Sequence, residues 1–180
     1  MRVDLLYGEG TLGVEVDSAW QADVLEKPSM PVLEDASGAV SAALAEPVGA
    51  APLHELAQGA GSACILICDV TRPVPNGVIL PQLIRTLLDA GMAADAITVL
   101  VATGLHRPNE GEELRRVVGD DWVLDTVGVV NHFARDDEAH VHVGTTSRGN
   151  LVRLDRRFVE ADLRIATGLV EPHFMAGYSG

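Results

Sequence analysis

Apolar and polar positions alternate over Met1–Leu6 and again over Thr11–Val16, on either side of Tyr7-Gly8-Glu9-Gly10. A period of two with glycine between the runs predicts a β-hairpin near the edge of a sheet. Two later runs are apolar throughout, Ala63–Cys68 (ACILIC) and Ile97–Ala102 (ITVLVA). Short continuous apolar runs mark strands buried on both faces, as in parallel sheets. Between them Leu80, Leu83, Ile84, Leu87 and Leu88 recur at helical spacing, which predicts a helix over Gly77–Ala90 that Gly91 stops. A helix over Pro31–Ala45 uses Leu33, Val40 and Leu44, and another over Asn109–Val118 has Asn109 as its N-cap and acids in its first turn. Val127–Val130, His140–Val143 and, more weakly, Leu151–Leu154 read as strands, Arg156–Ala161 as a short helix and Leu163–Thr167 as a last strand. The alternation predicts an α/β fold: a Rossmann-like, mostly parallel sheet with helices on both faces and the amino-terminal hairpin at its edge.

Composition narrows the partners. The 180 residues are 47% hydrophobic and 22% charged, a sequence that folds, and one domain over residues 1–180 is the expectation. Thirteen basic residues face 26 acidic ones, for a net charge of −13. Such acidity argues against nucleic acid or an anionic membrane as a partner, since both repel it. No run approaches the ~20 apolar residues of a membrane span, and Met1-Arg2 opens into a strand-like segment rather than a signal peptide, so a cytoplasmic location is expected. Cys64 and Cys68 share a strand face without CxxC spacing and read as buried, reduced thiols. Trp20 and Trp122 read as packing or surface residues. The charge is uneven: residues 1–71 carry two basic side chains, and the other eleven follow. Only one of the thirteen is a lysine, Lys27.

The polar residues gather where the buried strands stop. Asp69-Val70-Thr71-Arg72-Pro73-Val74-Pro75 follows the first, Thr103-Gly104-Leu105-His106-Arg107-Pro108 the second, and Thr167-Gly168-Leu169-Val170-Glu171-Pro172-His173 the last. Ala-Thr-Gly-Leu occurs twice, at 102–105 and 166–169, and each copy is soon followed by a histidine. Ligands of open α/β sheets bind beyond the carboxyl ends of the strands, so the three clusters are expected around one crevice. Taken singly, Asp69-X-Thr71 is also the pattern of a capped turn, with Arg72 solvated.

Two histidines can give or take a proton on opposite sides of a reacting carbon, as inverting a stereocentre requires. An arginine orients a carboxylate or phosphate, and an aspartate fixes a histidine tautomer or holds the arginine. The same set suits a lyase or hydrolase, or a non-catalytic module that binds a small anion or a partner chain.

DVTRPVP (69–75), ATGLHRP (102–108), NHFARD (131–136) and GLVEPHFMAGYSG (168–180), in this order and spacing, resemble the amino-terminal half of the nickel-dependent lactate racemase family. The resemblance runs from about Leu66 onward and is weaker over the hairpin and first helix. It implies a 2-hydroxy-acid racemase or epimerase, an isomerase that works by reversible hydride transfer to a nickel pincer nucleotide. It implies His106 and His173 as the two catalytic bases and Arg72 as the holder of a carboxylate or phosphate, with Asp69 beside it. Thr71, Gly104, Arg107 and Glu171 fall in the same motifs as substrate- or cofactor-binding candidates. The family's cofactor-anchoring lysine and nickel-ligand histidine have no counterpart here: Lys27 lies in an amino-terminal loop and nothing follows Gly180. This chain is therefore expected to be an amino-terminal catalytic domain lacking the second domain, with no metal ligand of its own and inactive alone. Its expected partners are a small 2-hydroxy acid and either a second copy or the carboxy-terminal domain.

Other histidines are set apart. His140 and His142 share a face at i and i+2, yet sequence places no third ligand, so an exposed strand face is expected. His132 is a supporting candidate near the site, and His54 a structural residue opening a short helix. The acidic runs Glu112-Glu113 and Asp136-Asp137-Glu138 read as solvated faces, and Ala176–Gly180 as a glycine-rich turn with no closing element.

Overall fold

A computed structural model describes every residue except Glu26, Lys27, Ala176 and Gly180, so the lone lysine lies outside the described residues. The chain divides into two compact units, Met1–Glu34 and Asp35–Gly180. The first is the hairpin that period-two alternation predicts. Strands β1 (Arg2–Tyr7) and β2 (Gly10–Glu15) pair antiparallel from Arg2↔Glu15 to Tyr7↔Gly10. Its open end is closed by the Met1 amino group on the Val16 carbonyl at 2.9 Å.

The second unit begins with α1 (Ala36–Ala45), which is shorter than the apolar spacing suggests. Asp35 caps it by accepting from the Gly38 N–H at 2.8 Å, so Leu33 falls outside the helix and is 65% exposed. The short helix α2 (Leu53–Leu56) leads to β3 (Ala63–Cys68), α3 (Asn76–Asp89), β4 (Ile97–Ala102), α4 (Gly111–Val118), α5 (Asp121–Thr126) and β5 (Gly128–Asn131). An antiparallel pair, β6 (His140–Thr145) and β7 (Leu151–Asp155), follows, then α6 (Arg156–Glu160) and β8 (Leu163–Ala166).

The central sheet has the order β5-β4-β3-β8, and all of its pairings are parallel. Alternate residues of the apolar strands bury against different layers. Ile65, Ile67, Val99 and Val101 join Leu80, Ile84 and Leu87 of α3 and Val118 and Val123 of α4 and α5 in the main core. Cys64 and Leu100 face the other way, towards Phe158 of α6. Helices therefore cover both faces. The chain steps outward from β3 to β4 to β5 and then returns to the other side of β3, which makes the end of β3 the topological switch point.

Two expectations need correction. Asn109 does not cap α4: the helix starts at Gly111 and its N-cap is Glu110. The side chain of Asn109 is used elsewhere. Nor is the carboxy-terminal segment an unclosed turn, because β10 (Gly177–Ser179) pairs antiparallel with β9 (Glu171–His173). Helix α5 was not foreseen; Asp120 caps it and Arg85 lies over the Trp122 ring at 4.7 Å. At the start of α3, Asn76 donates to the Val117 carbonyl at 2.8 Å, and Gly77 packs so close to Gly119 that a side chain there would strike the Gly119 carbonyl. Among the described residues no helix is long and apolar enough to cross a membrane.

Candidate active site at the strand ends

Asp69 leaves β3 charged and buried. Its Oδ1 accepts from the Thr71 N–H at 3.1 Å and the Thr71 hydroxyl at 2.6 Å, which is the capped turn that the Asp-X-Thr spacing implies. Its Oδ2 accepts from Nδ1 of His106, 37 residues on in sequence, at 2.6 Å. The turn takes one oxygen of this aspartate, and the other holds a histidine from the next strand end. Burial pushes the carboxyl pKa up, but hydrogen bonds from Thr71 and His106 outweigh it, and Asp69 lies below the ordinary carboxylate range. A carboxylate only accepts, so Nδ1 of His106 carries a proton and the neutral ring has its lone pair on Nε2. The His106 ring is 60% exposed.

The backbone that presents His106 is a tight turn, closed by its N–H on the Thr103 carbonyl at 2.9 Å. Gly104 takes the first central position with φ of 58°, a conformation that strains any residue with a side chain. The second Ala-Thr-Gly-Leu does not repeat this turn. Both the N–H and the hydroxyl of Thr167 go to the Leu66 carbonyl, at 2.9 and 3.1 Å, and the chain runs on into β9.

There Glu171 accepts an ion pair from Nε of Arg72 at 2.8 Å, joining the loops after β3 and β8 at the switch point. Arg72 also donates from Nη1 to the Thr71 carbonyl at 3.2 Å. It therefore holds Glu171, while Asp69 holds His106. His173 lies two residues beyond Glu171 on the same face of β9. Its Nδ1 accepts from the Met175 N–H at 3.2 Å, so the neutral ring carries its proton on Nε2, and Phe174 stacks on it at 5.3 Å. The two histidines thus rest in opposite tautomers. Asp69, Thr71, Arg72, Gly104 and His106 share one open cavity of about 360 Å³.

Arg107 points away from this group in its bonding: its guanidinium forks onto Glu113 at 2.6 and 2.8 Å. Hydrogen bonds from Arg107, then from Asn109, pull the Glu113 carboxyl down to about 2.

Sequence reasoning missed what ties the loops together. Buried Asn109 accepts from the Val70 N–H at 3.2 Å and donates to Glu113 at 2.8 Å. Its backbone pairs with the Asn131 side chain in both directions, at 3.0 and 2.9 Å. One asparagine therefore binds the loop after β3 to the ends of β4 and β5. The signal was present, since Asn131 ends its strand as Asp69 follows β3.

A second aspartate–histidine pair stands after β5. His132 donates from Nδ1 to Asp155 at 3.2 Å, and Thr103 donates its hydroxyl to the His132 carbonyl. Burial pushes the Asp155 carboxyl up, but hydrogen bonds from Arg157 and His132 outweigh this and hold it at about 2. Burial, reinforced by the nearby Asp155 charge, pushes the buried Cys64 thiol up to about 11. His140 and His142 part company: His140 leans edge-on against His132 at 4.9 Å, while His142 is exposed and bonds Thr145. Among the described residues no group of three or more His, Cys, Asp or Glu side chains is placed to hold a metal.

Residues 7–180 match the family model described as the lactate racemase N-terminal domain. The chain is 36% identical over its whole length to the lactate racemase of Lactiplantibacillus plantarum and 34% identical over 99% of it to that of Thermoanaerobacterium thermosaccharolyticum. In each case it spans 42% of the relative's length. The structure of the lactate racemase apoprotein from Thermoanaerobacterium thermosaccharolyticum superposes over the whole chain with a TM-score of 0.82 at 32% identity, again covering 42% of that chain. A Thermotoga maritima protein shares the fold at a TM-score of 0.60 and 23% identity over 81% of this chain.

Proposed function

Because the chain belongs to the family of lactate racemase amino-terminal domains, we propose that it is the part of a 2-hydroxy-acid racemase or epimerase that moves the substrate's hydroxyl proton and holds its carboxylate. The observation that carries this is the 2.6 Å bond from His106 to buried Asp69. It fixes Nδ1–H inward and aims the Nε2 lone pair at the open crevice, the form of histidine that accepts a proton. Accepting it makes an imidazolium, and the Asp69 carboxylate stabilises that charge.

His173 presents Nε2 on the opposite tautomer. In each turnover one histidine starts neutral and takes the hydroxyl proton, the other starts as the imidazolium and returns one, and the assignment reverses for the other enantiomer. Arg72 uses Nε and Nη1 on Glu171 and the Thr71 carbonyl, and its Nη2 is the group for a substrate carboxylate. Thr71 holds Asp69 in place, and Arg107 acts through Glu113 rather than on substrate.

The resemblance also implies a nickel pincer nucleotide, which supplies the hydride acceptor at the alpha carbon when bound. Among the described residues no three or more His, Cys, Asp or Glu side chains gather to hold a metal, and no residue of this chain is assigned to the nickel. The roles assigned to this chain stop at proton and carboxylate.

The test is interconversion of lactate enantiomers by the full-length protein, followed by chiral chromatography. His106→Gln and His173→Gln are each expected to slow it about 10²- to 10⁴-fold, the usual worth of a positioned acid–base group. An unchanged rate for either variant refutes that histidine's role.

A further inference from the structure

The face of the sheet away from the main core carries a second cavity, of about 460 Å³. Leu66, Leu100 and Phe158 make its apolar floor, and His132 and His140 stand in its wall. It adjoins the His106 crevice only along Ala102 and Gly104, which line both.

The charged and ring donors around it are already committed. His132 gives its Nδ1 proton to Asp155, which Arg157 grips from Nε at 2.9 Å and Nη2 at 2.6 Å. His140 gives its Nδ1 proton to the Asp136 carbonyl at 2.6 Å. Arg153 donates from Nη1 to the Asp137 carboxylate at 2.6 Å and from Nη2 to the Asp137 carbonyl at 2.7 Å. Carboxylates and carbonyls only accept, so each Nδ1 carries a proton and the neutral rings have their lone pairs on Nε2. Among the described residues that line the cavity, the cation Arg153 is already paired with Asp137, and the carboxylates Asp137 and Asp155 are both paired with arginines.

We propose that this cavity binds an uncharged small molecule with a ring-sized apolar body and one or two O–H or N–H donors, which the Nε2 atoms of His132 and His140 accept. Apolar enclosure with a few fixed polar groups is what small-molecule sites share. The proposal does not rest on the racemase reading, and its test uses binding rather than turnover.

The probes are 2-naphthol, which has the ring and a donor, and 2-naphthoate, which has the same ring and an anion. They are titrated into the protein near neutral pH and followed by ¹H–¹⁵N NMR of the histidine rings. Saturable shifts of the His132 and His140 Nε2 resonances are expected with 2-naphthol, and binding about tenfold weaker with 2-naphthoate. His132→Phe should weaken 2-naphthol about fivefold or more, the loss of one hydrogen bond. The ring ¹⁵N spectrum without ligand is a check that needs no variant, and it must show both rings as Nδ1–H tautomers. Equal binding of the two probes, no shift at these rings, or an Nε2–H tautomer at His132 each overturns the proposal.

Discussion

Two aspartate–histidine pairs stand at the carboxyl ends of neighbouring strands, and what grips each aspartate separates them. Asp69 is held by the neutral hydroxyl and amide of Thr71 and by His106. Asp155 is held by the guanidinium and backbone of Arg157 as well as by His132. A proton arriving on His106 therefore meets a carboxylate with no arginine partner and forms an ion pair. A proton arriving on His132 meets a charge that Arg157 has already balanced. Exposure follows the same division: the His106 ring is 60% accessible and the His132 ring 18%. In the proposed reading the same two residue types make a proton-transfer group in one place and a neutral acceptor in the other. The residue around the aspartate, rather than the pair itself, decides which.

That contrast can be broken most sharply at the aspartates. Asp69→Asn in the full-length protein should keep the ring geometry but remove the counter-charge. Racemisation is expected to fall about 10²- to 10⁴-fold, while the thermal midpoint moves little. If activity survives, the Asp69 charge is not what serves His106. Asp155→Asn should do the reverse: it leaves Arg157 half-satisfied and costs about 2 kcal/mol, roughly 4–8 °C in Tm. Activity per folded molecule is expected to persist, and a loss as deep as that of Asp69→Asn would erase the distinction between the pairs.

Acid titration reads the same difference in the folded state. The Asp155 pKa falls from its ordinary 3.8 to about 2 on folding, so its contribution is present above pH 4 and is lost as pH falls from about 4 to about 2. The amount is about 2 kcal/mol, and denaturant melts across that range should show it in the parent and not in Asp155→Asn. An equal pH dependence in both proteins would mean that the pair is not intact.

The smallest effect is expected from Arg107→Ala. Its partner Glu113 is bonded to Asn109 as well, so substrate KM should stay near the parent value. A marked rise in KM would show that Arg107 leaves Glu113 to bind the carboxylate.

Much of this was legible beforehand because it is local. The wholly apolar runs ACILIC and ITVLVA could only be strands buried on both faces, and β3 and β4 have those bounds. The switch-point rule brought Asp69, Arg72, His106 and Glu171 to one end of the sheet. The partners were less legible. The residue types left Asp69 to a histidine or to Arg72, and the resemblance set it beside Arg72, three residues away; the fold gives Asp69 to His106 and Arg72 to Glu171. Asn109 shows the same limit: its position before an acidic helical turn looks like a cap, and only the approach of Val70 and Asn131 diverts it. The repeated Ala-Thr-Gly-Leu shows it again, since one copy closes a turn through Gly104 and the other hydrogen-bonds Leu66 as an extended chain.

The sequence by itself determined the layers, the strand ends and the residue types that gather there, because periodicity and burial act within a few residues of chain. Tertiary structure alone decided the pairs. His106 and Asp69 are 37 residues apart and His132 and Asp155 are 23 apart, and no local pattern encodes such distances. Which carboxylate receives an arginine depends on strand order and on the return of the chain past β3. That assignment sets the charge each histidine feels, and so the chemistry each can do.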